Sequence, residues 1–294
     1  MGQFRDTSVT NRDSAVGVMK RPIWHTLCMN QSLMKSKTIC IPARNEAATI
    51  GDVVSTLLNA SRVSDIGLDS ILVIDDRSTD ETACIATKAG ARVVSTIDLC
   101  QQFGGSRGKG DAIWASLRAC NTDLVGWVDG DLGEMDPLAI IGMFRPLVFD
   151  DSIQLVKGAF DRMVDGKKGE EGRVTALTAR PLLEMLHPEF SYLRQPLSGM
   201  FAGRTQIIGS LWLDCDYGVD IGIAIDVQQT FGAQAITEVD LGYISHRQRP
   251  LDELAKTASQ VARAIVVRAG ISASVASDFE NRRIPALGFR RVTV

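Results

Sequence analysis

Leu124-Val125-Gly126-Trp127-Val128-Asp129-Gly130-Asp131 is the stretch that decides the fold. Leu124 to Val128 is apolar without alternation, the pattern of a short strand buried on both faces, and it runs straight into two carboxylates separated by one glycine. The same arrangement recurs upstream. Ile71 to Ile74 is a continuous aliphatic run ended by Asp75-Asp76-Arg77-Ser78, and Thr38 to Pro42 is a short apolar strand leading to Asn45 and Glu46. Ala91 to Ser95 reads as another strand. Helices fall between them. Ala47 to Ala60 carries Ile50, Val53, Val54, Leu57 and Leu58 at helical spacing, and Asp111 to Cys120 is a further helix. Asp80 to Ala89 reads as a helix closed by Gly90 at C′, with Ser78 or Thr79 as its N-cap and Asp80 and Glu81 in its first turn. Buried strands alternating with helices predict an α/β domain with a mostly parallel central sheet flanked by helices. Ligands of such sheets bind beyond the carboxyl ends of the strands, and the polar clusters at Asn45, Asp75 and Asp129 each follow one.

Composition narrows the function classes. The chain has 294 residues, 45% hydrophobic and 23% charged, which suits a globular protein and not a disordered one. Lys plus Arg is 32 and Asp plus Glu is 35, so the net charge of −3 leaves no footprint for non-specific nucleic-acid binding. The longest uncharged run, Pro22 to Met34, is shorter than the ~18 apolar residues of a membrane span. Six cysteines without a C-x-x-C pair read as reduced thiols, mostly in apolar surroundings, and not as a disulfide framework or zinc site. The polar N-terminus shows no signal peptide, so a cytoplasmic location is expected. Residues 1–36 read as an N-terminal arm, 37–150 and 151–270 as two halves of one domain, and 271–294 as a tail. In that tail Arg282, Arg283, Arg290 and Arg291 read as a solvated rim.

The candidate chemistry lies at the strand and helix ends. Asp129 and Asp131, one residue apart at the mouth of an apolar strand, can point to one side, and hard carboxylate oxygens favour Mg²⁺ or Mn²⁺ bridged to substrate phosphates. Gly130 between them lets a ligand approach the backbone. Gly108-Lys109-Gly110 leads into a helix, where amide groups and a lysine attract anions; a flexible surface turn is the plainer reading of the same three residues. The spacing is not that of a Walker A loop, and no G-x-G-x-x-G follows the first strand. Gly172-Arg173-Val174-Thr175 opens a helical segment and can take a phosphate or carboxylate, or can simply cap the helix with Thr175 and leave Arg173 in solvent. His246 is a structural histidine or a metal ligand, and His25 and His187 have weaker contexts.

Taken together, these residues resemble a known family. Ile41-Pro42-Ala43-Arg44-Asn45-Glu46, then Val73 to Asp80, then the D-x-D, is similar to the GT-A (Rossmann-like) glycosyltransferases that use a nucleotide-sugar donor. Gly108 to Trp114, Leu155-Val156-Lys157, Gly172 to Thr175, Ala179 to Leu183, Gln195-Pro196-Leu197, Tyr217 to Gly222 and His246 to Leu251 resemble, in order, the retaining glucosyl-3-phosphoglycerate synthases. The resemblance implies transfer of glucose from UDP-glucose to the 2-hydroxyl of 3-phosphoglycerate with Mg²⁺ or Mn²⁺ as cofactor. It implies that Pro42, Ala43, Asn45, Glu46, Asp76, Lys109, Asp129 and Gly130 bind the donor, and that Asp131 and His246 hold the metal. It places the acceptor against Gly172, Arg173, Thr175 and Gln248, and gives Asp131, Asp220 and Lys109 catalytic roles. It also implies a homodimer, in which Trp24 and a helix Leu254 to Arg268 would find a packing partner.

The chain departs from the family at Asp220, where glutamate is usual, at Ile244 in place of arginine, and at Gln248 in place of asparagine. Asp76 stands where serine is common, and Met200 where a carboxylate is common. These changes leave a related transferase with another sugar nucleotide or small acidic acceptor, or a non-catalytic nucleotide-sugar-binding protein, as competing readings. A polyprenyl-phosphate transferase lacks support because no membrane segment is seen. A sugar-nucleotide pyrophosphorylase lacks the glycine- and arginine-rich loop such enzymes carry after the first strand.

Overall fold

The computed structural model describes residues 35–164, 167–169, 171–245, 251–271 and 281–287. His246 and Gln248, the arm with Trp24, and Arg290 and Arg291 lie outside the described residues. The first half alternates as the sequence suggests: β1 (Lys37–Ala43), α1 (Ile50–Val63), β2 (Ser70–Asp75), α2 (Thr82–Lys88), β3 (Arg92–Ser95), α3 (Thr96–Cys100), α4 (Lys109–Ala119) and β4 (Leu124–Trp127). Then come α5 (Pro137–Gly142), α6 (Phe144–Phe149), β5 (Leu155–Val164), β6 (Lys167–Lys168), a π-helical turn (Thr175–Ala179) and α7 (Arg180–Leu186). The last elements are β7 (Phe201–Arg204), α8 (Thr205–Gly209), β8 (Leu213–Asp214), α9 (Val219–Phe231), β9 (Ile236–Ser245), α10 (Leu251–Arg268) and β10 (Arg282–Arg283).

The main sheet runs β3-β2-β1-β4-β7-β5-β6, with β9 paired to β5. β3, β2, β1 and β4 are mutually parallel; β7 is antiparallel to both β4 and β5, and β9 is parallel to β5. The sheet is therefore mostly parallel and continuous across residue 150. Alternation within the strands explains the two layers of helices. Ile39, Ile41, Ile71, Val73 and Leu124 enter one apolar cluster with Ile50, Val53, Val54 and Leu57 of α1. Cys40, Leu72, Ile74, Val125 and Trp127 enter the opposite cluster, with Ala112, Ile113 and Leu117 of α4 and the buried side of α9. Period-2 side chains on a sheet covered on both faces require apolar residues at every position, which is why these strands read as unbroken runs. Within α1 the apolar residues recur at i, i+3, i+4 and i+7, the stripe of a helix docked on a sheet.

Several local expectations need correction. α2 begins at Thr82 and not at Asp80, with Glu81 at its N-cap and no side-chain cap bond; Asp80 Oδ1 accepts from Thr82 N at 3.0 Å just ahead of the helix, and Ser78 and Thr79 are turned to Asn45. Arg283 is not a solvated residue. It is 4% exposed, and its guanidinium bonds Asp111, which is fully buried, at 2.7 and 3.0 Å. Arg282 and Arg283 form β10, antiparallel to β8, so the charged pair is strand and ion pair together. One face of α10 packs within the chain, with Val261, Ala264 and Ile265 buried in the cluster that contains α9. Cys84 is exposed, whereas Cys40, Cys100, Cys120 and Cys215 are buried, and all five are free thiols. His187 is buried with Nε2 3.1 Å from the Ile265 carbonyl, a structural placement. No helix of the described residues is long and apolar enough to cross a membrane.

Candidate active site

Beyond the carboxyl ends of β1, β2 and β4 lies a cavity of about 1170 Å³. That volume suits two small substrates side by side, since single-ligand pockets span roughly 300–1,000 Å³. Pro42, Ala43, Glu46 and Asp76 line one wall, and Asp129, Gly130 and Asp131 its corner. Lys109 enters from the first residue of α4, Gly172, Arg173 and Thr175 form the opposite wall, and Asp220 reaches in from α9. Two stretches more than forty residues apart in sequence, the D-x-D and the G-R-V-T turn, thus share one space.

The first wall is made rigid by neutral and singly charged hydrogen bonds between neighbouring loops. Asn45 Oδ1 accepts from Thr79 N at 2.8 Å, and Asn45 N donates to Ser78 Oγ at 3.0 Å. Asn45 sits at φ 57°, a left-handed conformation that asparagine tolerates. Its side chain joins the loops after β1 and β2 and does not line the cavity, unlike the other candidate donor residues. Asp76 accepts from Arg77 Nε at 2.9 Å and from Thr96 Oγ1 at 2.9 Å. Burial pushes its carboxyl up, but hydrogen bonds from Arg77, Ser106 and Thr96 outweigh that and hold it below the ordinary aspartate range.

At the centre, Lys109 Nζ lies 3.2 Å from Asp129 Oδ1 and 3.1 Å from Asp220 Oδ2. Burial alone would depress its ammonium, yet the two carboxylates outweigh burial and hold it above the ordinary lysine value. Asp220 is 5% exposed, and burial raises its carboxyl against the opposing pull of Lys109 and Lys157. Its Oδ1 is buried without a hydrogen-bond partner. Two close backbone approaches set this geometry. A Cβ at position 110 would stand 1.8 Å from the Asp214 carbonyl, so only glycine admits the start of α4 against β8. A Cβ at position 199 would stand 2.3 Å from Lys109 Nζ and 2.8 Å from Asp129 Oδ1, so a side chain there would force the ion pair apart.

Asp131 lines the cavity and accepts no hydrogen bond among the described residues. Among those residues no three His, Cys, Asp or Glu side chains converge. Mg²⁺ and Mn²⁺ do not require such a cage, because they are held by one or two carboxylates, waters and substrate phosphates. A hard-oxygen donor free at the strand end, beside an anion-attracting helix start, therefore fits such an ion.

On the far wall Gly172 O accepts from Ala176 N at 2.9 Å, so the G-R-V-T segment opens a helical turn as expected. Thr175 is 4% exposed, and Arg173 is exposed at the rim. Glu171 is held by Arg180 at 2.6 Å, and Arg180 also donates to the Leu193 and Arg194 carbonyls.

Three residues without an expected role join the site. Lys157 is fully buried under Phe201, with Nζ 2.7 Å from the Ser198 carbonyl and 3.2 Å from the Asp220 carbonyl. Burial, against the pull of Asp220, lowers its pKa to about 8. In the sequence it stands as a lysine inside the apolar run of β5, in the Leu155-Val156-Lys157 stretch that shares the family resemblance, with no role assigned to it. Arg162 and Asp216 also line the cavity; Asp216 accepts from Arg263 and from Asn281 at 3.0 Å. Neither stands in a pattern that periodicity detects.

Comparison with known proteins adds an independent finding. The model of Glycosyl transferase family 2 matches residues 38–167. The glucosyl-3-phosphoglycerate synthase of Mycolicibacterium smegmatis is 38% identical over 262 residues, covering 86% of this chain and 84% of that protein. The crystal structure of glucosyl-3-phosphoglycerate synthase from Mycobacterium tuberculosis with Mn²⁺, UDP-glucose and phosphoglyceric acid matches with a TM-score of 0.75 at 36% identity, over 90% of this chain and 92% of that one. The same enzyme with Mg²⁺ and UDP matches with a TM-score of 0.75 at 38% identity, over 86% of each chain.

Proposed function

This chain belongs to the family of the glucosyl-3-phosphoglycerate synthases, and from that premise we propose that it moves glucose from UDP-glucose to the 2-hydroxyl of 3-phosphoglycerate with retention of configuration. The observation that carries the reading is the single cavity in which the Asp129–Asp131 corner faces the Gly172–Thr175 turn, in a chain similar along most of its length to enzymes of that activity. Residues 37–150 form the donor half and 151–270 the acceptor half of one domain.

Pro42, Ala43, Glu46 and Asp76 hold the nucleoside, and Asn45 serves by fixing the loop that carries them. Asp129 and Gly130 border the ribose and sugar. Asp131, with His246, holds Mg²⁺ or Mn²⁺, which when bound neutralises charge on the diphosphate as a Lewis acid. Lys109 is kept protonated by Asp129 and Asp220 and presents a fixed positive charge to the donor. Asp220, aligned by Lys109, keeps one buried oxygen available to a sugar hydroxyl. Gly172, Arg173, Thr175 and Gln248 bind the acceptor, and holding both substrates in one cavity supplies the proximity that transfer needs. No side chain is positioned as an obvious covalent nucleophile. The acceptor hydroxyl attacks the anomeric carbon from the face that UDP leaves, and the departing phosphate oxygen takes the hydroxyl proton. The same reading makes the protein a cytoplasmic homodimer.

The test is a product assay with UDP-glucose, Mg²⁺ and 3-phosphoglycerate, read by the anomeric proton coupling of the product. An α-linked glucosyl-3-phosphoglycerate is expected. A β-linked product would end the retaining assignment, and UDP release only with a different acceptor would end the acceptor assignment.

A further inference from the structure

Arg162 stands near the end of β5, where its own carbonyl accepts from Gly169 N at 2.8 Å and the chain turns toward the G-R-V-T segment. Its guanidinium packs 5.7 Å from the Phe160 ring centroid and lines the cavity. The Nε is buried and has no hydrogen-bond partner among the described residues. A Cβ at position 172 would lie 3.2 Å from Arg162 Nη2, so the guanidinium lies close against the turn at Gly172. The carboxylates of Asp129, Asp131 and Glu171, which line the same cavity, all act on its charge. A guanidinium stays charged at any working pH, and a partly desolvated one facing a cavity is complemented by an anion.

The acceptor carries two anionic groups of different position. Its carboxylate is attached to the carbon that bears the reacting hydroxyl, and its phosphate is on the other side, one carbon further away. The carboxylate is thus the group nearer the reacting hydroxyl. Arg173 is exposed, whereas Arg162 is half-buried, with Nη2 lying against Gly172 and Nε buried. We infer that Arg162 is a specificity residue that binds the acceptor carboxylate, while Gly172, Arg173 and Thr175 take the phosphate; the inference rests on the acceptor reading given above. Two-point binding of this kind fixes the rotation of the acceptor, and so the direction of its 2-hydroxyl.

The test compares Arg162→Met and Arg162→Lys with the unaltered protein on two acceptors, 3-phosphoglycerate and glycerol 3-phosphate, the second of which keeps the hydroxyl and phosphate but lacks the carboxylate. Arg162→Met is expected to raise the KM for 3-phosphoglycerate by about 10- to 100-fold, the scale of a lost charge-assisted hydrogen bond. The KM for UDP-glucose and for glycerol 3-phosphate should stay within about twofold, because neither interaction uses the lost group. Arg162→Lys should recover part of the loss. Equal losses on both acceptors, or a rise confined to the donor KM, would overturn the assignment of Arg162 while leaving the acceptor reading in place. Failure of the unaltered protein to glycosylate 3-phosphoglycerate would overturn both.

Discussion

The two walls of the cavity are built differently. The donor wall takes its residues from within a few positions of a strand end, and ties them together with uncharged or singly charged bonds between adjacent loops, such as Asn45–Thr79, and within a loop, such as Asp80–Thr82. The side of the cavity behind Lys109 and Asp220, where α4, β8, α9, α10 and β10 meet, is assembled from elements far apart in the chain and held by buried charge. Arg283 meets Asp111 across 172 residues, and Arg268 Nη1 lies 2.8 Å from Asp214 with its Nε 2.8 Å from Asp226. Lys157 supports the backbone of Asp220 from a position with no solvent contact. The contrast separates chemistry from architecture. A side chain on the donor wall can be removed and leave its scaffold standing, whereas removal of one member of a buried pair leaves an uncompensated charge in the core.

The strongest way to break that contrast is Asp131→Ala. Turnover in saturating Mg²⁺ is expected to fall by roughly 100-fold or more, since a bound ion contributes several kcal/mol of charge stabilisation. The urea unfolding midpoint should not move. Retained metal-dependent activity would remove Asp131 from the site, and a lost fold would erase the distinction between the walls. Next is Arg283→Ala: Arg283 does not line the cavity, and its loss takes from buried Asp111 the nearer of its two cations, leaving Arg107 at 3.5 Å. It is expected to cost about 3 kcal/mol of stability by urea denaturation. A change below about 0.5 kcal/mol would place Arg283 with ordinary surface residues.

The last test concerns a slope rather than a midpoint, at Lys157, whose pKa falls from 10.5 to about 8 in the folded chain. Between those values the unfolded chain holds a proton that the folded chain has released. The contribution of this group to stability therefore rises with pH from about 8 toward 10.5, and is flat below about 8, where both states are protonated. Lys157→Met should remove that slope when unfolding is measured across the window. An unchanged slope would mean that Lys157 remains charged in the folded protein.

The donor wall was largely legible in the sequence. Unbroken apolar runs followed by Asp75-Asp76 and by Asp129-Gly130-Asp131 announce strands buried on both faces with polar ends, and Lys109 does stand at a helix start facing them. Those signals are local: each depends on side-chain period and on which residues end an element. Arg283 shows why the rest was not. Read among its neighbours it is one of several arginines in an irregular tail, and only the pairing of β10 with β8 brings it to Asp111. Arg162 likewise stands inside an ordinary strand, and nothing nearby in sequence tells that Gly172 will lie against its guanidinium.

The sequence by itself determined the alternation of strands and helices, the mostly parallel sheet and the acidic ends of its strands. Hydrophobic period and chain-terminating polar residues act over a few positions, and need no knowledge of distant partners. Only the tertiary structure decided that β7 enters antiparallel between β4 and β5, and that Lys109 is gripped by both Asp129 and Asp220. It alone decided which arginines are buried. Those outcomes depend on loop closure over tens to hundreds of residues and on the balance between desolvation and pairing, which is set by what surrounds a charge and not by what precedes it in the chain.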